Sequence, residues 1–219
     1  MNQLIIAAND FLNCGGFDYA ICGGFALDIF TNSDTRMHSD IDVCVFERDK
    51  DIIFLYMEEN GWSIYEFCGQ GIVHFVDTVD KCQSGRNLMC LKDACELVKF
   101  YPSDRGVDYF LHEFYYTGIN SLNYLEFLFN TAESNDFIFD GNHDIRREIG
   151  KAILLKHNVP FLAPEIVLLY KSRDIERQWY QYDYEKAISK MDNEQMSWFY
   201  NGLDVLYPNG HMWRKYAYS

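Results

Sequence analysis

Between residues 2 and 13 the apolar positions recur at helical spacing, and Gly15 and Gly16 then break the pattern. Tyr19 to Cys22 reads as a short buried strand ending at Gly23-Gly24, and Phe25 to Phe30 returns to helical spacing. The polar run from Thr31 to Ser39 predicts a loop. Ile41 to Phe46 predicts a second strand, whose start alternates acidic and apolar residues. Asp49 to Asn60 is an amphipathic helix closed by Gly61, since glycine tolerates the left-handed conformation that ends helices. Trp62 to Cys68 and Ile72 to Val76 form a strand pair around Gly69-Gln70-Gly71, and residues 88–100, 107–116 and 122–130 supply further β-type runs. After Pro160 and Pro164 the pattern becomes helical at Glu165 to Arg173, Asp183 to Met191 and Glu194 to Tyr207.

These elements predict an α/β (α+β) fold, a mixed β-sheet flanked by helices with a helical C-terminal part. The expected division is a core over residues 1–158 and a helical part over 159–219. With 219 residues, 48% hydrophobic and 24% charged, the chain has the composition of a globular protein and needs no disulfide or structural metal to build a core. The seven cysteines contain no CxxC pair and read as reduced, small apolar residues. The stretch MNQLIIAANDFL lacks a basic region, a long apolar segment and a cleavage site, so no signal peptide is expected. No run reaches the roughly 20 apolar residues of a membrane helix, which points to a cytoplasmic protein without a membrane partner.

Charge narrows the partners further. Lys and Arg total 19 against 33 Asp and Glu, a formal charge of -14, so the molecule's field repels phosphodiester backbones and favours cationic substrates. A nucleic-acid partner is therefore not expected. A triphosphate is still compatible, because a local basic pocket can bind one on an acidic protein.

The chemistry concentrates in CGGFALDIFTNSDTRMHSDIDVCVF at positions 22–46. Glycines without a Cβ let backbone approach a phosphate, and helix N-terminal amides beyond them favour negative charge. Asp40 and Asp42 are one residue apart, so on a strand they share a face while Ile41 points into the core. Two carboxylates on one face repel unless a cation sits between them, and Mg²⁺ takes one or two carboxylates together with substrate phosphates. Taken alone, Gly23-Gly24 is an ordinary strand-to-helix turn; the aspartates that follow shift that reading.

These residues resemble the nucleotidyltransferase superfamily, whose hallmark is a glycine turn followed by an Asp-x-Asp strand. They are most similar to the aminoglycoside and lincosamide adenylyltransferases, whose run is matched here by Gly23, Gly24, Asp28, Thr35, Arg36, His38, Asp40 and Asp42. The segment VPFLAPEIVLLYKSRD at 159–174 looks like the start of that family's C-terminal helices. The resemblance implies transfer of a nucleoside monophosphate, typically AMP from ATP, to a hydroxyl of a small acceptor, an aminoglycoside or lincosamide among them, with Mg²⁺ and ATP or another nucleoside triphosphate as co-substrate. It also implies a third carboxylate, a metal ligand or general base, for which Glu126 is the acidic candidate within a strand-like run, although the family more often has Asp there. Glu126 is equally well a half-exposed strand carboxylate. Arg36 and Lys171 are candidates to neutralise triphosphate charge, with Lys171 otherwise a solvated helix residue, and His38 is a candidate phosphate donor if the strand extends that far. Two other readings stay open, a nucleotidyltransferase that modifies a protein hydroxyl and a degenerate fold that binds nucleotide without turnover.

Overall fold

The computed structural model of the protein describes residues 2–33, 36–93, 95–115 and 118–215. The chain opens with helix α1 (Gln3–Leu12), strand β1 (Tyr19–Ile21), helix α2 (Gly23–Thr31), strand β2 (Asp42–Phe46) and helix α3 (Lys50–Glu59). Strands β3 (Ser63–Phe67), β4 (Ile72–Val76), β5 (Leu88–Leu91), β6 (Val98–Pro102), β7 (Tyr109–Phe114), β8 (Tyr124–Glu133), β9 (Asp136–Ile138) and β10 (Arg146–Glu148) follow. A turn of helix α4 (Ile149–Ala152) leads to strands β11 (Ile153–Lys156) and β12 (Val159–Leu162), then to helices α5 (Pro164–Lys171), α6 (Tyr180–Ile188), α7 (Asn193–Leu206) and α8 (Met212–Lys215). The α/β class and the helical C-terminal part are those the sequence pattern gives. The run 88–100 divides into two strands, and β9 to β12 are four short strands the periodicity did not mark.

Contacts divide the chain into two compact units, one of residues up to Ile21 plus 34–129, the other of 22–33 plus 130–219. In the first unit the strands run in the order β1-β2-β8-β5-β3-β4-β7-β6. The registers put Tyr124 opposite Leu91 and Glu126 opposite Met89, with Met89 in turn opposite Tyr65. Tyr65 faces Phe75, Val73 faces Phe110, and Phe100 faces His112. Opposed residues in antiparallel ladders share a face, so one face carries this aromatic series. It curls inward far enough that the rings of Tyr124 in β8 and Phe114 in β7, with three strands between them in the order, lie 5.6 Å apart. Val73, Met89, Leu91, Leu97, Val98 and Tyr124 are the buried cluster at its centre.

The opposite face is covered by α3 through Ile53, Phe54 and Met57, all buried. Gly61 ends that helix with a positive φ of 74°, the left-handed position where a side chain would be strained. Two buried charges act as loop clamps here. Lys50 donates to the carbonyls of Gln83 at 2.5 Å and Arg86 at 2.6 Å, and Glu66 accepts from the Gln83 amide. Packing of α1 on α3 is aromatic, with Phe11 against Tyr56 and Trp62 and the Tyr56 hydroxyl on the Phe11 carbonyl at 2.6 Å.

The second unit is built around α5, whose residues are almost all buried, packed by α2, α6 and α7. Its Pro164 occupies the first helical turn, where the missing N–H costs nothing. A capping box starts α7: Asp192 accepts from the Gln195 amide at 2.8 Å and Gln195 accepts from the Asp192 amide at 3.2 Å. The same Gln195 donates to Glu165 at 2.8 Å, and Arg147 closes on the other Glu165 oxygen at 2.8 Å. Burial pushes the Glu165 carboxyl up, opposed by Arg147 and by hydrogen bonds including that from Gln195. At the far end of α2, Lys156 donates to the Ile29 carbonyl at 2.6 Å and Lys190 to that of Thr31, placing cations where the helix dipole is negative.

All seven cysteines are free thiols. Burial pushes Cys44 up to about 12, which keeps it an unreactive thiol. Among the described residues no helix is long and apolar enough to cross a membrane.

Candidate active site

Strand β2 begins at Asp42, so Asp40 lies just before it in irregular backbone and the period-two argument holds only from Asp42 onward. Both carboxylates are half-buried, while Ile41 between them is fully buried, as a core-facing residue should be. Glu126 is half-buried in β8, and its N–H donates to the Ile41 carbonyl at 3.0 Å. That backbone bond docks the middle of β8 beside the start of β2.

Tyr124, two residues before Glu126 and on the same face, is fully buried and its hydroxyl donates to Glu126 Oε1. The Tyr124 hydroxyl is pushed far above its ordinary range, by burial first, then by Glu126, Asp40 and Asp42. The bond from the Glu126 N–H to the Ile41 carbonyl sets the backbone of Glu126 beside the residue between Asp40 and Asp42. Tyr124 is the residue sequence reasoning missed; its two-residue spacing from Glu126 in a strand was the available signal.

The other sequence candidates are placed differently. Arg36 is half-buried and donates to the Met37 carbonyl at 3.4 Å. His38 precedes the strand, which does not extend that far, and its side chain is buried; its carbonyl accepts the Ile119 N–H at 2.8 Å. Thr35 lies outside the described residues.

In the second unit, Gly23 and Gly24 are the first residues of α2 itself, where a turn before the helix was expected. Gly23 has a φ of 61°, a conformation that glycine adopts without penalty, and both glycines are half-exposed. Asp28 is buried within α2, accepts from Ser33 at 3.1 Å and pairs with Lys186 at 3.5 Å, a structural placement. Lys171 is not a solvated cation: it is buried, pairs with buried Asp183 at 3.0 Å and lies over the Tyr180 ring. Its charge is matched within the helical unit, so it joins α5 to α6.

Among the described residues no group of three or more His, Cys, Asp and Glu is placed to hold a metal ion, Asp40, Asp42 and Glu126 included. Mg²⁺ does not require one, because it keeps waters and substrate phosphates in its shell and needs only one or two carboxylates from the protein. Asp40 and Asp42 offer carboxylate oxygens, the chemistry that suits this hard cation.

Residues 4–70 match the family described as Aminoglycoside-2''-adenylyltransferase. No curated protein matches the chain. Among solved structures, the chain is similar to a lincosamide antibiotic adenylyltransferase with lincomycin bound, at 13% identity and a TM-score of 0.53, over 87% of this chain and 98% of that one. It is also similar to the antibiotic-resistance factor ANT(2'')-Ia in solution, at 14% identity and a TM-score of 0.50, over 94% of this chain and 91% of that one. The chain thus shares the fold of two antibiotic adenylyltransferases, and its residues 4–70 match the family described as Aminoglycoside-2''-adenylyltransferase.

Proposed function

We propose that the protein transfers AMP from ATP, with Mg²⁺, to a hydroxyl of a small acceptor of the aminoglycoside or lincosamide type. The observation that carries this reading is the bond from the Glu126 N–H to the carbonyl of Ile41, the residue between Asp40 and Asp42. Like charges flanking one core residue repel one another, and a divalent cation relieves the repulsion. Asp40 and Asp42 would hold it, with Glu126 as a third ligand or as the base. When bound, Mg²⁺ neutralises charge on the phosphate oxygens and orients the triphosphate.

The chain's own residues do the rest. Arg36 adds positive charge for the triphosphate, and the amides that open α2 at Gly23 and Gly24 suit phosphate oxygens. If Glu126 is the base, its carboxylate takes the acceptor's hydroxyl proton as that oxygen bonds to the α-phosphorus. The bond from the α-phosphorus to the bridging oxygen then breaks, and pyrophosphate leaves. On this reading residues 1–158 are the catalytic core and 159–219 the helical part. The acceptor class is supported by the family match of residues 4–70 and by the acidic surface, which draws amine-bearing molecules.

The test is incubation with ATP and Mg²⁺ beside a panel of aminoglycosides and lincomycin, followed by mass spectrometry and a pyrophosphate assay. One acceptor should gain an adenylyl group with pyrophosphate release that stops when Mg²⁺ is chelated. Absence of any Mg²⁺-dependent pyrophosphate release across the panel would contradict the proposal.

A further inference from the structure

Glu126 has three side-chain torsions, and the strand fixes only where they begin. The backbone bond to Ile41 sets the start of the side chain, and the carboxylate at its end is held by a further contact. The structure provides a holder. The Tyr124 hydroxyl donates to Glu126 Oε1, and the Tyr124 ring is fully buried in the core of the first unit. Phe114 meets that ring edge to face at 5.6 Å and 63°. Phe114, itself partly exposed, touches the buried Tyr124 ring, and the Tyr124 hydroxyl reaches the carboxylate.

We propose that Tyr124 is the positioning residue of this site, fixing the Glu126 carboxylate beside Asp40 and Asp42, with Phe114 as the buttress that fixes Tyr124. The proposal rests on the reading of Glu126 as a working residue of the transfer. Tyr124 acts only through Glu126, and touches neither the nucleotide nor the acceptor. A hydrogen bond to a charged group is among the stronger ones, and losing it releases the carboxylate without removing it.

The experiment compares Tyr124→Phe, Phe114→Leu, Glu126→Gln and the double variant Tyr124→Phe with Glu126→Gln. For each, kcat and the KM for ATP are measured with the best acceptor of the panel, together with thermal unfolding and isotope-edited infrared spectra of ¹³C-glutamate-labelled protein. Tyr124→Phe should lower kcat about tenfold, leave the KM for ATP within about twofold and keep the wild-type Tm. In the Glu126→Gln background the same change should cost nothing further, because residues that act as a unit are not additive. The infrared difference for Tyr124→Phe should show a carboxylate stretch shift that is absent when Glu126 is already Gln. Phe114→Leu should give a smaller loss, also confined to the Glu126 background, and carries the test if Tyr124→Phe does not fold.

Wild-type kcat in Tyr124→Phe beside an impaired Glu126→Gln overturns the positioning role alone. An equal loss in both backgrounds overturns it too, since Tyr124 would then act through the fold. Full turnover in Glu126→Gln overturns both this inference and the catalytic assignment of Glu126.

Discussion

The Glu126 N–H and the Ile41 carbonyl, 3.0 Å apart, join β8 to the residue between the two aspartates. Ile41 is fully buried, so this bond is set at the core rather than at the rim. A third carboxylate is thereby placed by backbone pairing, and only its last torsions are left to side-chain contacts.

Glu66 carries the first prediction. It is fully buried, accepts from the Gln83 amide and faces Arg86 at 3.6 Å and His74 at 3.8 Å. Glu66→Ala should destabilise the fold by about 3 kcal/mol, since it strips a buried charge from its partners. Glu66→Gln keeps an acceptor for Gln83 and should cost less. Urea unfolding checks this, and a midpoint for Glu66→Ala equal to wild type would contradict it.

Gln195 carries the second. Truncation to Ala removes half of the α7 capping box and the Glu165 partner at once. The expected loss is about 1–3 kcal/mol, at least as large as the roughly 1 kcal/mol expected for Asp192→Ala, which removes only the cap. Paired denaturation curves would show the order, and the reverse order would argue against the buried link to Glu165.

His211 sets an acid limit. Its Nε2 donates to the Ser172 carbonyl at 3.0 Å and its Nδ1 accepts from the Trp213 amide at 3.2 Å, so only the neutral ring satisfies both. Burial holds its pKa below the ordinary 6.5, with the Ser172 bond opposing. The unfolded chain therefore takes up the proton first. Stability contributed by the neutral ring is complete above 6.5 and falls as pH drops toward the folded pKa, by at most about 1.4 kcal/mol per pH unit. In His211→Gln that part of the slope should vanish. An unchanged slope between pH 6.5 and the folded pKa would contradict it.

The sequence made some of this legible and left other parts hidden, for physical reasons. Asp40 and Asp42 could be found because two carboxylates flanking a core residue is a costly pattern without a cation. Most of α7 was visible as helical spacing from Glu194 to Tyr207, and Gly61 as the end of α3. Strand β9 was not, because three residues carry no measurable alternation. The pairing of Lys171 with Asp183 depends on how α5 meets α6, which no local pattern encodes. Tyr124 was not singled out, because nothing local shows that the hydroxyl at the end of its buried ring reaches Glu126. The placement of Gly23 inside α2 likewise needed coordinates, since a glycine pair marks a change of direction without saying on which side of it the helix begins.

The most direct measurement is Mg²⁺-dependent pyrophosphate release from ATP by Asp42→Asn beside wild type, with the same acceptor. The substitution keeps shape and the buried β2 pattern while removing a charged oxygen ligand. Release should fall by about 100-fold or more while the Tm stays at the wild-type value. Release near the wild-type rate in Asp42→Asn would contradict the metal-holding role on which the account is built.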